Sequence, residues 1–398
     1  MRFRIALIAA CAVHAAPGAA QGTPLSRGDV VQAALDRGAR LGVARADTLL
    51  ANAQLIAARA IPNPAVGASY SKSVPRFHFG FDVPLDFPAL RQLRIRSAQV
   101  GAQAAQLRFQ FVRAVIALDA DTTYTRAIAA REHLALSHRN ATDADSLLHM
   151  VERRRDAGDA SDMDVELARV NAGQQTNLFV GDSLTLISTL LDLQAVIGMA
   201  SERLEVRATD SLAMPGDAAT PGRTLAEVAA SMSVESAGLA ARLQRRSIWA
   251  LPTISFGFET SEPDAPGLLP TFGIGIGLPL FDRNRGAVAQ AEAERARAVA
   301  ELALAHVEAK DQIAHATRAR EMALARVTRD RQLIASANRV AAMSLTAYRE
   351  GAASLTNVLE AQRSARDVLA NYVDDLADAW IATAELRVLA LPPAAIQP

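Results

Sequence analysis

Between residues 253 and 278 apolar side chains alternate with small or polar ones. Ile254, Phe256 and Phe258 stand against Ser255, Gly257 and Glu259, and Phe272, Ile274 and Ile276 against Gly273, Gly275 and Gly277. A period of two predicts strands with one apolar face, at 253–261 and 270–278. Phe77, Phe79 and Phe81, opposed by His78, Gly80 and Asp82, predict another at 76–84; Val66, Ala68 and Tyr70 mark a weaker one at 65–73. Elsewhere the period lengthens. Leu90, Leu93, Ser97, Val100, Ala104, Leu107, Phe111, Ala114 and Leu118 step by three and four without a slip. Such a heptad seam predicts a helix over 88–156 in an antiparallel coiled coil. At about 1.5 Å per residue it would run roughly 100 Å, more than a compact domain holds. Long helices are also predicted over 161–205, 285–349 and 353–389, and shorter ones near 26–60 and 223–249.

The plan occurs twice. "RAIPNPAVGASY" (59–70) matches "WALPTISFGFET" (249–260), "DVPLDF" (82–87) matches "GLPLFD" (277–282), and "RDAGDASDMDV" (155–165) matches "REGAASLTNV", at offsets of 190, 195 and 193. Three landmarks in one order at a near-constant offset indicate duplication. The chain therefore divides into a leader (1–20), a first repeat (21–205), a linker (206–222), a second repeat (223–390) and a tail (391–398).

The leader has Arg2 and Arg4, an apolar run from Ile5 to about Ala16 and small residues at Gly18 and Ala20, which predicts export with cleavage after Ala20. Cys11, the sole cysteine, lies inside it, so the mature chain is expected to have no thiol chemistry. A second reading makes "IAAC" (8–11) a lipoprotein cleavage site with Cys11 lipidated, although Ile5 to Ala10 is a short core for it. No later segment has the ~18 uninterrupted apolar residues of a spanning helix. "SLTLISTLLDLQAVIGMA" (183–200) comes nearest, and with Asp192 and Gln194 it reads as a packed helix.

The strands admit two readings: a water-soluble sheet packed on helices, or a lipid-facing wall. An export leader and helices too long to fold back over so small a sheet favour the wall. Four strands would leave two unpaired edges, which hydrocarbon forbids, so the chain must associate. The fold class expected is mainly α with a small transmembrane β part, three copies closing a twelve-stranded barrel that continues as a helical cylinder. Phe77, Phe79, Phe81, Ile254, Phe256, Phe258, Phe272, Ile274 and Ile276 would face lipid.

Charge and chemistry narrow the function. The 42 basic and 42 acidic residues balance, which argues against nucleic acid as a partner. His133 and His138 miss same-face helical spacing, and no HExxH motif or cysteine pair occurs, so no tight metal site and no cofactor are expected. A nucleophile constellation and a phosphate loop are also missing, which argues against an enzyme.

"PLFDRNRG" (279–286) at a strand-to-helix junction, "YREGAASLTNVLEAQRSA" (348–365) at a helical turn, the leader and the duplication together resemble the TolC-like outer-membrane efflux proteins. The "LPLFDRNRG" form is most similar to their heavy-metal cation (CzcC/CusC-type) branch. The resemblance implies a homotrimer in outer-membrane lipid of a Gram-negative bacterium with a periplasmic helical extension. It also implies a periplasmic adaptor (membrane fusion) protein and an inner-membrane pump of the resistance-nodulation-division class as partners. Gly158 and Gly351 correspond to the hairpin tips that meet the adaptor, with Ser161 and Ser354 capping the returning helices. Where some members place two gate aspartates this chain has Asn357 and Glu360, while Asp162 and Asp164 lie at the first tip as further gate candidates. The function implied is a passive exit duct, for heavy-metal cations by the branch. The same duct for drugs or secreted polypeptides, or a coiled-coil scaffold without a pore, are the alternatives.

Overall fold

The computed structural model describes residues 23–37, 39–199, 203–218, 220–248, 252–260 and 267–392. The expected leader with Cys11 and most of the tail lie outside these. In chain order the elements are β1 (Thr23–Leu25), α1 (Arg27–Arg37), α2 (Ala39–Arg59), β2 (Ala65–Tyr70), β3 (Phe77–Pro84), α3 (Pro88–Asp156) and α4 (Asp162–Val196). There follow β4 (Val206–Ala208), α5 (Leu225–Arg246), β5 (Thr253–Thr260), β6 (Leu269–Gly275), α6 (Arg285–Arg349) and α7 (Leu355–Leu389).

All four alternating segments are strands and all four long periodic segments are helices, with three corrections. The helix expected over 161–205 stops at Val196, because Gly198 adopts φ 75° and the Met199 amide turns back to the Gln194 carbonyl at 2.8 Å. The expected linker 206–222 contains a strand, β4. Finally, α4 is long and apolar enough by composition to cross a membrane, with an 18-residue window of mean hydropathy 1.3, and only 17% of that window is buried. The helix expected to pack over 183–200 packs along one face only: Leu190, Leu193, Gln194 and Ile197 are buried, whereas Leu184 and Ile187 point outward.

Two compact units form, and they cut across the sequence repeats. One takes the described residues of 1–37, 119–214 and 325–377, the other those of 38–118, 215–324 and 378–398.

In the first unit β1 and β4 pair in parallel, Thr23 opposite Val206 and Leu25 opposite Ala208. The fully buried Tyr124 holds the ends of both: its hydroxyl donates to the Leu25 carbonyl at 2.8 Å and accepts from the Thr209 and Asp210 amides at 3.2 Å. Arg131 donates to the Ala208 and Asp210 carbonyls at 2.8 and 2.7 Å, and Arg27 pairs with Asp121. Buried polar groups satisfied in this way fix one arrangement.

In the second unit the heptad seam of α3 packs antiparallel on α5. Ser97 and Ser236 exchange hydrogen bonds from hydroxyl to carbonyl, each 3.0 Å, and Leu107 is buried against Leu225 and Ala229. The four-stranded sheet, order β2-β3-β5-β6, is antiparallel throughout, and β3 and β5 join the two sequence repeats.

Candidate functional site

The register decides which side chains share a face of this sheet. Phe79 stands opposite Ala68 and Phe258; Phe81 opposite Val66 and Phe256, which faces Phe272; Val83 opposite Ile254, which faces Ile274; Phe77 opposite Tyr70. Directly opposed residues of antiparallel strands lie on one side, so these form a single apolar surface. Phe79 and Phe258 stack with centroids 4.9 Å apart, and Phe256 meets Phe272 edge-on at 5.8 Å. The surface is nonetheless open to solvent, with Val66 81%, Phe272 77% and Ile274 76% exposed. Ile276 is a correction: it lies beyond β6, which ends at Gly275 opposite Thr253, the first residue of β5. Alternation continues in the sequence, but the partner strand has run out.

The opposite face is small and polar. Gly67, Gly80, Gly257 and Thr271 form one row across four strands. A β-carbon at Gly257 would come within 2.5 Å of the Phe79 carbonyl oxygen, so the chain needs glycine there for close backbone approach. Flanking the glycine row are two polar pairs. His78 and Glu259 meet at 3.1 Å, and the Ser255 hydroxyl donates to Asp82 at 2.5 Å.

Each strand pair delivers its chain into a long helix through a junction tied to the preceding short helix. In the first repeat Arg94 donates to the Ala58 and Ala60 carbonyls at 3.0 and 3.4 Å and Arg91 to the Arg59 carbonyl at 3.1 Å, capping the end of α2; Asp86 binds Arg94 at 2.7 Å. In the second, Asn284 adopts φ 59°, its amide nitrogen donating to Asp282 at 2.9 Å and its side chain to the Gln244 carbonyl at 2.9 Å at the end of α5. "FDRNRG" thus encodes a left-handed corner, which asparagine tolerates better than most residues. The sequence displayed the motif without this role.

The helical hairpin tips are near-duplicates. Gly158 and Gly351 have φ 87° and 73°. The Gly158 amide bonds the Arg155 carbonyl at 2.9 Å and the Asp159 amide the Arg154 carbonyl at 2.8 Å; Gly351 reaches Tyr348 at 3.1 Å and Ala352 reaches Ala347 at 2.7 Å. Both are Schellman endings, in which glycine avoids the strain of a left-handed residue. Ser161 then caps α4 with a reciprocal box: its hydroxyl accepts from the Asp164 amide at 3.1 Å, and the Asp164 carboxylate accepts from the Ser161 amide at 3.1 Å. Ser354 accepts from the Asn357 amide at 3.4 Å at the start of α7. Above the tips Leu147, Val151, Val165, Ala168, Tyr348, Leu355 and Val358 form one core from four helices.

Among the gate candidates, Asp164 is committed to capping; the "SDMD" spacing could have shown this. Asp162 and Asn357 are exposed in the first turns of α4 and α7. Glu360 lines a groove of about 830 Å³ between α3, α4 and α7 with His133, Asp182, Arg363, Arg366 and Asp367, a mixed rather than acidic surface. Burial pushes the Tyr348 hydroxyl up, and burial together with a hydrogen bond from the protonated Asp330 carboxyl to the Asp375 carboxylate raises Asp330. Among the described residues no group of three or more His, Cys, Asp or Glu side chains could hold a metal ion.

Residues 229–390 match the outer membrane efflux protein family. The cobalt-zinc-cadmium resistance protein CzcC of Cupriavidus metallidurans is 25% identical over 244 residues, 58% of this chain and 57% of that protein's length, so the match spans little more than half of the relative. Among solved structures, the outer membrane protein VceC of Vibrio cholerae shares the fold at a TM-score of 0.75 and 19% identity, over 92% of this chain and 96% of VceC. CusC, described through its folding and transmembrane channel formation, shares it at 0.76 and 17%, over 92% and 91%. The second half of the chain thus matches the outer membrane efflux protein family over 229–390, the whole shares its fold with VceC and CusC along 92% of its length, and its sequence is similar to that of CzcC.

Proposed function

We propose that three copies of this chain close a twelve-stranded barrel in the outer membrane and form the exit duct of a tripartite efflux system. The observation that carries this reading is the open four-stranded sheet, whose apolar face is exposed and whose outer strands β2 and β6 each have one unpaired edge among the described residues. Unpaired backbone groups cost several kcal/mol each in hydrocarbon, so a lipid-facing sheet must find strand partners in neighbouring copies. Outer-membrane residence with a periplasmic helical part is supported by the match of residues 229–390 to the outer membrane efflux protein family. The cargo we assign is heavy-metal cations, supported by the likeness to a cobalt-zinc-cadmium resistance protein. In this scheme the tips at Gly158, Ser161, Gly351 and Ser354 dock the adaptor, and a pump of the resistance-nodulation-division class supplies the energy. Asp162, Asn357 and Glu360 are the residues we assign to the gate.

Reconstitution tests the duct. Detergent-extracted protein should have the mass of three chains and give stepwise currents in planar bilayers. A monodisperse monomer, or silence from correctly inserted protein, would favour the scaffold reading.

A further inference from the structure

His78 and Glu259 face each other on the small-residue side of the sheet, on neighbouring strands β3 and β5, with Nδ1 and Oε1 3.1 Å apart and both side chains about a third exposed. The second ring nitrogen, Nε2, lies 3.4 Å from the Ser71 hydroxyl oxygen. That hydroxyl has a single proton, and its hydrogen-bond partners are the Ser73 carbonyl at 2.6 Å and the Pro75 carbonyl at 3.0 Å. Since Ser71 gives its proton to a carbonyl, it can only accept from the imidazole. The Nε2 atom therefore carries the hydrogen, and in the neutral ring the Nδ1 lone pair points at the Glu259 carboxylate.

Two electron-rich atoms at hydrogen-bond distance repel unless a positive species sits between them. A proton is one such species. A divalent cation is another: two ligands about 2.0–2.1 Å from an ion and about 90–110° apart lie roughly 2.9–3.4 Å from each other, which brackets the observed separation. We propose that His78 and Glu259 form a weak station for a divalent transition-metal ion on the lumen side of the sheet. The inference rests on the exit-duct reading and names a point along that duct where the cargo is handled.

The ligand types set the class of ion. An imidazole nitrogen with one carboxylate suits zinc, cobalt or nickel, whereas magnesium and calcium prefer oxygen alone. Ser71, accepting from Nε2–H, holds the ring tautomer as partners of metal-bound histidines commonly do. Two protein ligands with water completing the shell bind loosely, and conduction requires that an ion be able to leave. Neighbouring positions on this face are open. Ser69 and Leu269 complete the row, the next row is Gly67, Gly80, Gly257 and Thr271, and along these strands the next carboxylate among the described residues is Asp82, held by Ser255. At about 3.3 Å per residue Asp82 lies roughly 13 Å along the strand, and the glycine row between the two carries no charge.

The test uses Zn²⁺ and the intact, detergent-solubilised protein, with Mg²⁺ as comparison, read by calorimetry and by current in planar bilayers. The expected result is one weak Zn²⁺ site per chain that Mg²⁺ does not fill, and a reversible Zn²⁺ block of the current. His78→Gln and Glu259→Gln should each weaken both effects at least tenfold, and Ser71→Ala should weaken them less. Failure to bind Zn²⁺, or binding unchanged in His78→Gln, would overturn the station. Zn²⁺ binding that His78→Gln removes, in protein that never conducts, would leave the station standing and defeat the duct instead.

Discussion

The Arg154 guanidinium lies 4.7 Å from the centre of the Tyr348 ring and donates to the Tyr348 carbonyl, so one side chain ties the end of α3 to the end of α6. It also approaches the Asp159 carbonyl at 3.5 Å, beyond its own tip glycine. A cation over an aromatic face contributes roughly 0.5–2 kcal/mol and a hydrogen bond from a charged group about 1.5–3 kcal/mol. Arg154→Ala should therefore loosen both tips together by about 1–3 kcal/mol. Hydrogen exchange should rise in 153–161 and 346–354 alike. Arg154→Lys, without the planar fork, should recover only part of the protection.

Gly351 separates turn-making from docking. Its φ of 73° penalises any side chain, and its amide bonds the Tyr348 carbonyl. Gly351→Ala should cost about 1–2 kcal/mol locally. Gly351→Pro removes the amide donor and forces φ near −65°. If the tip docks an adaptor, the proline variant should keep its trimeric mass while cells that carry it lose metal tolerance. Unchanged tolerance would remove the docking assignment.

At the junction, Asn284→Ala loses both the easy left-handed backbone and the bond to Gln244, an expected loss of about 1–3 kcal/mol. Asn284→Gly should lose less, because glycine accepts the conformation. Thermal unfolding of the two variants should therefore rank alanine below glycine.

On the sheet, Ile274→Arg should destabilise the assembled protein by roughly 2–4 kcal/mol if the site is near mid-membrane. Ile276→Arg should cost less, since Ile276 stands past the last paired residue of β6. The heat needed to dissociate the assembly on a gel reads the difference. Equal effects at the two positions would place the apolar face outside lipid.

Much of this architecture was written locally in the sequence. Alternation gave the four strands and their common apolar side, and the heptad seam of α3 is buried or half-buried along its length. Gly158 and Gly351 mark the tips because a reversing helix needs a left-handed residue, which glycine supplies at least cost. What escaped depended on pairing across the chain. β1 and β4 are three residues each and far apart in sequence, too short to show a period. Ile276 kept the pattern, yet a strand ends where its neighbour ends. Asp164 looked like a free carboxylate until its hydrogen bonds to Ser161 were visible. The Ser71–His78–Glu259 chain depends on a cross-strand register that no local pattern encodes.

The central claim, that neighbouring copies complete the sheet, is most directly tested at its two outer strands. Within one chain β2 and β6 are separated by β3 and β5, three spacings of about 4.8 Å, whereas a disulfide needs α-carbons closer than about 7 Å. The sole cysteine, Cys11, lies in the expected leader, so paired cysteines can be placed without background along β2 (Val66 to Ser69) and β6 (Thr271 to Ile274). Oxidation of membrane-inserted protein should give, at one register, interchain disulfides and a covalent ladder that stops at three chains. Only monomers at every register would contradict a wall built from three copies.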